Sequence, residues 1–225
     1  MGKSNQARAS ILARIRKAQG RPALGASQAQ LEEIETYLRA HPRGTLPPVE
    51  GDLVARFRER AESMQSTTEE VASESAVPEA VARYLRAGNL PLKGCVWPQL
   101  AHLDWKGAGL ELEPRAASRE AGRDDPVGVT GAFAAIAETG TLMLVSGAAT
   151  PGSVSLVPET HVAVLRAERV MAHMEEAWDL ARAELHRLPR AVTFISGPSR
   201  TGDIEQKIVL GAHGPYRVHI IIVRN

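Results

Sequence analysis

The sequence contains only one cysteine, Cys95, among its 225 residues. A single cysteine cannot form a disulfide bond within the chain, and it cannot supply the four thiolates that commonly hold an iron–sulfur cluster. Its surroundings in KGCVWP are more typical of a small buried side chain than of a nucleophile. We therefore expect Cys95 in the core and no iron–sulfur cofactor in this chain.

Long apolar runs are also missing. No stretch approaches the roughly 20 apolar residues of a membrane-spanning helix. The N-terminal sequence MGKSNQARASILARIRKAQG has no uninterrupted hydrophobic segment followed by a cleavage site. We expect a cytoplasmic protein without a membrane span.

Neither sign of charge is in large excess. Lys and Arg number 27 and Asp and Glu number 26, so the formal net charge is +1. Such a balance gives no global positive field that would gather nucleic acid or an anionic membrane. With 44% hydrophobic and 24% charged residues, the chain has the composition of an ordinary globular protein with one main domain.

Helical periodicity dominates the first third of the chain. Apolar residues recur there at three- and four-residue spacing, and prolines and glycines interrupt the pattern near residues 20–22 and 41–48. We predict a helical N-terminal arm over residues 1–64 that packs on a main domain of residues 65–225. The arm could cap that domain or contact another subunit, and a solvated helical surface layer explains the pattern equally well.

Strand and helix patterns alternate in the rest of the chain. Strands are predicted near residues 65–71 and at 93–97, 141–146, 161–166, 192–196 and 218–223, and helices near 78–87 and 171–185. The later strands are almost continuously apolar, as expected for strands covered on both faces. We predict an α/β fold, a mostly parallel sheet with flanking helices.

Three details of this pattern affect the interpretation of individual segments. Residues 132–140 fit either a short helix or a strand that turns at Thr139-Gly140, and we favour the hairpin. Met171, Met174 and Trp178 share one face of the predicted helix and are interpreted as core rather than as part of a cofactor site. The loop 147–158, rich in small residues, could close over a ligand or be an ordinary connector.

Polar residues crowd together after the predicted strand 192–196. They are Ser199, Arg200, Thr201, Asp203 and Glu205. A helix beginning near Asp203 would present free backbone N–H groups, which with Arg200 would suit a carboxylate or phosphate beyond the carboxyl end of a strand. The alternative is internal, because Asp203 and Glu205 could satisfy the helix start and pair with Arg200 themselves.

A second polar group is Glu138, Thr139, Gly140 and Thr141. Glu138 could act as a general base or nucleophile, although a lone glutamate before a strand is also typical of a solvated or capping acid. His213 lies between two glycines and could approach a ligand as a hydrogen-bond donor or general acid–base group, whereas His219 is expected to be a satisfied histidine within a strand. No third ligand is identified by spacing, so no metal site is predicted.

Three segments resemble a known family. They are GVTGAFAAIAETGTLML, LVPETHVAVL and ISGPSRTGDIEQKIVLGAHGPYRVHIIIV, and in this order they look like the lactate utilization protein C family (LutC/YkgG, LUD domain). The family pattern falls on Glu138, Thr139, Gly140, Thr141, Gly197, Pro198, Ser199, Arg200, Thr201, Asp203, Glu205, Gly211, His213, Gly214 and Pro215. The resemblance implies that these residues line a pocket, without assigning a role to each.

The resemblance also implies a fold and a function. The fold would be of the NagB/RpiA/CoA-transferase type, which agrees with the α/β prediction. The function would be participation in bacterial L-lactate oxidation to pyruvate, together with partner proteins that carry iron–sulfur clusters.

Three function classes remain open at this point. The chain could be an accessory subunit that binds a small carboxylate or a partner through the Arg200 loop. It could be an independent CoA-transferase-like or sugar-phosphate-isomerase-like enzyme that uses Glu138, although fold analogy is a weak basis for assigning a reaction. It could also be a ligand-sensing module without chemistry.

Overall fold

The computed structural model describes residues 2–20, 26–118, 125–204, 207–211 and 213–224. The chain divides into two compact units, Met1–Leu46 and Pro47–Asn225. Among the described residues, no helix is long and apolar enough to span a membrane.

The first unit contains the helices α1 (Gly2–Ala18) and α2 (Gln28–Ala40). Helix α2 begins with a capping box, because Ser27 and Gln30 each accept a hydrogen bond from the other's backbone N–H. Helix α2 has no buried residue, and large apolar side chains on both helices are exposed. The predicted N-terminal helices are therefore present, while packing of the arm on the main domain stays a prediction.

The second unit contains the helices α3 (Leu53–Ser63), α4 (Val77–Ala87) and α5 (Met174–Glu184). Its strands are β1 (Thr67–Val71), β2 (Lys93–Val96), β3 (Glu111–Pro114), β4 (Val127–Gly131), β5 (Ala134–Ile136), β6 (Thr141–Val145), β7 (Thr160–Arg166), β8 (Val170–Met171), β9 (Val192–Ile195), β10 (Arg200–Ile204), β11 (Lys207–Leu210) and β12 (Arg217–Val223). Helix α3, which the sequence pattern groups with the N-terminal arm, lies in this unit.

The large sheet has six strands in the order β1-β12-β7-β4-β2-β3, and every neighbouring pair is parallel. The runs HVAVLR and VHIIIV form the neighbouring inner strands β7 and β12, which are buried along nearly their whole length. One face packs on α4 and the other on α3. The predicted mostly parallel α/β fold is confirmed.

A small sheet of four strands, in the order β8-β5-β6-β9, packs over the large sheet. Strands β5 and β6 form the predicted hairpin, which turns through Gly140 at φ 66. Strand β6 also pairs antiparallel with β9, so the predicted strands 141–146 and 192–196 lie outside the parallel sheet. Because β6 is covered on both faces, its apolar run resembles that of a buried parallel strand.

Helix α5 covers the outer face of the small sheet. Its Ala177 and Ala181 pack against that sheet, with Met171 and Trp178 partly buried beside them, as predicted. Met174 is exposed, which corrects the prediction that it belongs to the core. Side chains of a helix point towards its N-terminus, so Met174, as the first residue of α5, extends past the end of the helix.

The predicted helix near Asp203 is wrong. Strand β10 pairs antiparallel with β11 at this position, with an irregular register between Thr201 and Ile204. β-branched residues recur through RTGDIEQKIV, and such residues favour strands. Glu205 and the side chain of Asp203 lie outside the described residues, so their predicted pairing with Arg200 stays a prediction.

Cys95 is fully buried in β2, as predicted. Burial raises the pKa of its thiol to about 12, chiefly because the surroundings disfavour the thiolate. A thiol held in its neutral form is a poor nucleophile. The core interpretation of Cys95 is therefore confirmed.

Candidate functional site

Glu138 and His173 follow two neighbouring parallel strands of the small sheet. Strands β5 and β8 pair in parallel, and the ladder continues beyond them through a bond from Glu138 N to Ala172 O of 3.1 Å. The carboxyl ends of two parallel neighbouring strands lie at the same edge of their sheet. The backbone therefore brings these two side chains together.

The two side chains form a direct pair. Nδ1 of His173 lies 2.9 Å from Oε2 of Glu138, and the side chains are 10% and 32% exposed respectively. His173 is the residue before α5 and makes no capping bond through its side chain. The ring is therefore available to Glu138, and a carboxylate acceptor favours a proton on Nδ1.

The second ring nitrogen of His173 is left for solvent or a ligand. Within the described ranges, the solvent-shielded side-chain atoms that lack a hydrogen bond are Oγ of Ser66, Nδ1 of His161 and Nε2 of His219. Nε2 of His173 is not one of them, and the pair with Glu138 is the only hydrogen bond seen for this ring in the described part of the chain. A histidine held by a carboxylate on one side and open on the other can accept or donate a proton.

A chain of hydroxyls lies at the same end of the small sheet. The hydroxyl oxygen of Thr141 lies 2.7 Å from that of Thr139 and 2.7 Å from that of Ser196. Thr141 begins β6 and Ser196 directly follows its antiparallel partner β9, so the register of these strands places them opposite each other. Either oxygen of each pair can donate, which lets the chain adapt to a donor or an acceptor.

Two glycines hold these loops against the last turn of α3. A Cβ atom at Gly140 would lie 2.3 Å from the backbone nitrogen of Ala61, and one at Gly197 would lie 2.1 Å from the carbonyl oxygen of Met64. Both glycines also have positive φ, of 66 and 79. Only glycine fits this close approach and this conformation.

Arg200 contacts the same end of α3. Its Nη2 donates to the carbonyl oxygen of Met64 at 3.0 Å, and the residue is exposed. A cation suits the C-terminal end of a helix, where carbonyl groups are left without intrahelical partners. Arg200 therefore has an internal partner in the Met64 carbonyl, while its pairing with Asp203 or Glu205 stays a prediction.

The loop that contains His213 is bonded to the residue before Arg200, Ser199. Ser199 donates its N–H to Pro215 O, and its carbonyl oxygen accepts from Gly211 N, both at 2.9 Å. His213 is exposed in this loop, and Thr201 is partly buried in β10. The structure thus brings the loops of Glu138, Arg200 and His213 to one region, although it shows no contact between these three side chains.

This region lies at the amino edge of the large sheet, not at the carboxyl edge as predicted. Tyr216 N donates to Glu159 O at 2.8 Å, immediately before β7 and β12 begin. The predicted position rested on β9 being a strand of the parallel sheet. Since β9 instead runs antiparallel to β6 in the small sheet, its carboxyl end faces elsewhere.

Two other histidines are buried in the large sheet. His219 bonds through Nδ1 to Thr67 at 2.8 Å and stacks on Tyr84, but its Nε2 has no partner, so the predicted satisfied histidine is satisfied at one nitrogen only. His161 contacts Thr130 at 2.8 Å. Burial lowers the pKa of each histidine to about 4. Both are therefore neutral near pH 7.

Cation binding finds little support in the geometry. In the described segments, no three His, Cys, Asp or Glu residues are grouped closely enough to hold a metal ion.

A cavity of about 1180 Å³ lies elsewhere, along the edge formed by β2 and β3. It contains none of the predicted site residues. Its Arg115 forms two hydrogen bonds of 2.8 Å with Asp125. Burial opposes ionisation of Asp125, but the bonds from Arg115 and the Ser118 amide outweigh it and keep the pKa of Asp125 below its ordinary value. Lys93 and Lys106 also line this cavity. We take the end of the small sheet as the candidate site because the predicted site residues gather there.

The sequence motifs do not single out His173. Strand β8 is only two residues long, so apolar periodicity cannot locate it. The available signal is a histidine directly before an amphipathic helix, in VMAHMEEAW. This signal points to Glu138 as the partner of His173 only when the pairing of β8 with β5 is known.

Comparison with known proteins gives consistent matches. The sequence model of the LUD domain matches residues 54–223. Lactate utilization protein C of Deinococcus radiodurans is 31% identical over 213 residues, which cover 88% of this chain and 96% of that protein. Lactate utilization protein C of Halalkalibacterium halodurans is 38% identical over 102 residues, and that of Bacillus subtilis is 35% identical over 100 residues.

The latter two matches are partial. They cover 44% and 43% of this chain, and 44% and 42% of the respective relatives. A crystal structure of a DUF162 family protein from Deinococcus radiodurans superposes with a TM-score of 0.58 at 23% identity, over 79% of this chain and 99% of that one. This structural likeness supports the α/β fold.

Proposed function

Because this chain belongs to the LUD domain family, we propose that it is a component of bacterial lactate utilisation. The observation that carries the proposal is the relative named lactate utilization protein C that aligns over 96% of its length. The crystal structure that superposes with a TM-score of 0.58 adds support for the architecture only.

The finer form of the proposal is an accessory component in the oxidation of L-lactate to pyruvate. In this form, partner proteins carry the iron–sulfur clusters and the electrons. The buried state of Cys95, the single cysteine, fits a chain that holds no such cluster. The end of the small sheet is then the surface that receives a small carboxylate or a segment of a partner.

Reconstitution tests the accessory role. The chain is mixed with the iron–sulfur proteins of its lactate utilisation system, and pyruvate formation from L-lactate is measured with and without it. The proposal expects strong dependence of the rate on this chain, and association of the proteins in a pull-down. Equal rates without the chain would contradict the accessory role.

A small-anion pocket near Arg200 is the second part of the proposal. The residues assigned to this pocket lie on a strand and a loop, not at a helix start; they are Ser199, Arg200 and Thr201. The positive group that we assign to an anion is therefore the guanidinium of Arg200. Calorimetric titration with lactate, pyruvate, phosphate and coenzyme A tests the pocket. Binding should be lost in Arg200→Ala and kept in the exposed control Arg187→Ala. Equal binding by both variants would remove Arg200 from the pocket.

An independent enzyme remains the alternative, because Glu138 is held by His173 and partly exposed. Carboxylates serve as nucleophiles in covalent catalysis. Turnover of an acyl-CoA or a sugar phosphate that is abolished by Glu138→Gln in a folded protein would favour this reading. Saturable binding without turnover or partners would instead indicate a ligand-sensing module.

A further inference from the structure

We propose that His173, held by Glu138, is the proton-transfer group of this chain and acts on the hydroxyl of a small hydroxy acid bound at the end of the small sheet. The substrate class rests on the proposed role in lactate utilisation. The assignment of the group rests on the geometry of the pair.

The first step is the orientation of the ring. A neutral ring that donates from Nδ1 to Glu138 Oε2, 2.9 Å away, carries its lone pair on Nε2. The main chain holds both residues in place, because Glu138 N bonds to Ala172 O and Ala172 N bonds to Glu176 Oε2. The pair is thus rigid on its backbone side and open on the side of Nε2.

The second step is the contrast with the other buried histidines. His161 and His219 have 0% and 3% of their surface exposed, and the free nitrogen of each is shielded from solvent. Neither can reach a dissolved ligand. His102 also faces a carboxylate, that of Glu74 at 3.4 Å, but its Nδ1 is taken by the Gln99 carbonyl oxygen at 3.1 Å. Among the described histidines, His173 therefore combines a carboxylate partner with a second nitrogen that has no protein partner.

The third step is the chemistry around the pair. The hydroxyls of Thr139, Thr141 and Ser196 lie on the same hairpin and its neighbouring strand end, and they can bind the oxygen atoms of a hydroxy acid. Arg200 is fixed to the same turn of α3 that contacts Gly140 and Gly197. A base for a hydroxyl, neutral donors and a cation for a carboxylate are the groups that such a ligand requires.

The reaction step assigned to this chain is a proton transfer only. As the hydroxyl proton moves to Nε2, the electron pair of the broken O–H bond forms the C=O bond, the two electrons of the breaking C–H bond pass to the iron–sulfur partners of the proposed function, and the carbon-bound proton goes to solvent. Glu138 stabilises the imidazolium that forms, and loss of its Nε2 proton to solvent regenerates the starting pair. No electron transfer is assigned to this chain.

Two substitutions separate this role from a structural one. Asparagine at position 173 places an amide nitrogen near the position of Nδ1 and keeps a donor for Glu138, but it has no counterpart of Nε2. His173→Asn should therefore remain folded and lose the proton-transfer function. In the reconstituted system we expect kcat to fall about 100-fold or more with little change in KM, as for loss of a general base.

A readout on the purified chain does not depend on turnover. Diethyl pyrocarbonate acylates an accessible neutral imidazole nitrogen, and peptide mass spectrometry locates the product. We expect His173 to react faster than His161 and His219, and L-lactate to shield it. Long-range proton–nitrogen NMR should show the Nδ1–H tautomer at His173, and Glu138→Leu should lose that preference.

The outcomes distinguish this inference from the proposed function. If the chain is required for lactate oxidation but His173→Asn is as active as wild type, the function stands and the inference is overturned. If the chain is dispensable but L-lactate shields His173, the function fails and the ligand assignment survives. If L-lactate leaves the acylation rate of His173 unchanged, the inference is overturned whatever the reconstitution shows.

Discussion

The two sheets of the second unit treat polar side chains in opposite ways. In the large parallel sheet, His161 and His219 are buried and kept neutral. In the small sheet, Glu138, His173 and the hydroxyl chain gather at one end, where the side chains of Glu138, Thr139 and Ser196 are exposed in part or in full. The comparison suggests that the large sheet supplies stability and the small sheet presents the chemistry.

Shortening an apolar side chain that packs between the two sheets should give the largest loss of stability. Leu165 in β7 is fully buried in the core that joins the large sheet, the small sheet and α3. Leu165→Ala removes packed methyl groups and leaves a cavity, so the free energy of unfolding should fall by about 2–5 kcal/mol. Urea denaturation measures the change. Leu188→Ala, at a residue 69% exposed, is the control and should change little.

Acidification should lower the free energy of unfolding through the buried histidines of the large sheet. Their folded pKa of about 4 lies below the ordinary 6.5, so the unfolded chain binds more protons in this range. Stability is then full above pH 6.5 and falls as the pH drops from 6.5 towards 4, by about 3 kcal/mol per histidine at most.

Denaturation midpoints at several pH values between 7.5 and 4.5 test this dependence. His219→Gln should flatten the profile, and His186→Gln, at an exposed position, should leave it unchanged. The pKa of Asp125 is lowered in the folded protein, so protonation of Asp125 reduces the free energy of unfolding separately and only at lower pH. A wild-type profile that is flat between pH 6.5 and 4.5 would show that neither histidine is kept neutral by folding.

A methyl group at Gly197 should disturb the contact between the small-sheet loops and α3. It would meet the Met64 carbonyl oxygen at 2.1 Å with φ at 79, so Gly197→Ala should cost about 1–3 kcal/mol in unfolding free energy. Gly152→Ala is the matched control, since nothing lies within 4 Å of its added Cβ. Similar thermal midpoints for the two variants would argue against the tight contact.

The smallest effect on stability is expected at His173 itself. His173→Asn keeps a donor for Glu138 but shortens a side chain that is mostly buried, so its unfolding free energy should fall by about 1 kcal/mol. Chemical denaturation checks this value alongside the acylation assay. A loss comparable to that of Leu165→Ala would mean that His173 belongs to the structural core instead of the site.

The sequence predicts the large sheet better than the site. Buried strands such as VHIIIV and the turn at Thr139-Gly140 have strong local signals, and both are found where expected. The segment after Arg200 is misread as a helix start because Asp203 is a residue type that commonly caps helices, whereas pairing of β10 with β11 decides its conformation. His173 is missed because its importance depends on the long-range pairing of β5 with β8.

Mapping where a hydroxy acid protects the purified chain tests most directly whether the end of the small sheet is the ligand site. Backbone hydrogen exchange is measured by mass spectrometry with and without saturating L-lactate. With L-lactate bound, we expect slower hydrogen exchange in peptides that contain residues 138–141, 172–176 and 196–200. Protection confined to residues 106–116, along the cavity beside β3, or no protection at all, would contradict the assignment of function to the end of the small sheet.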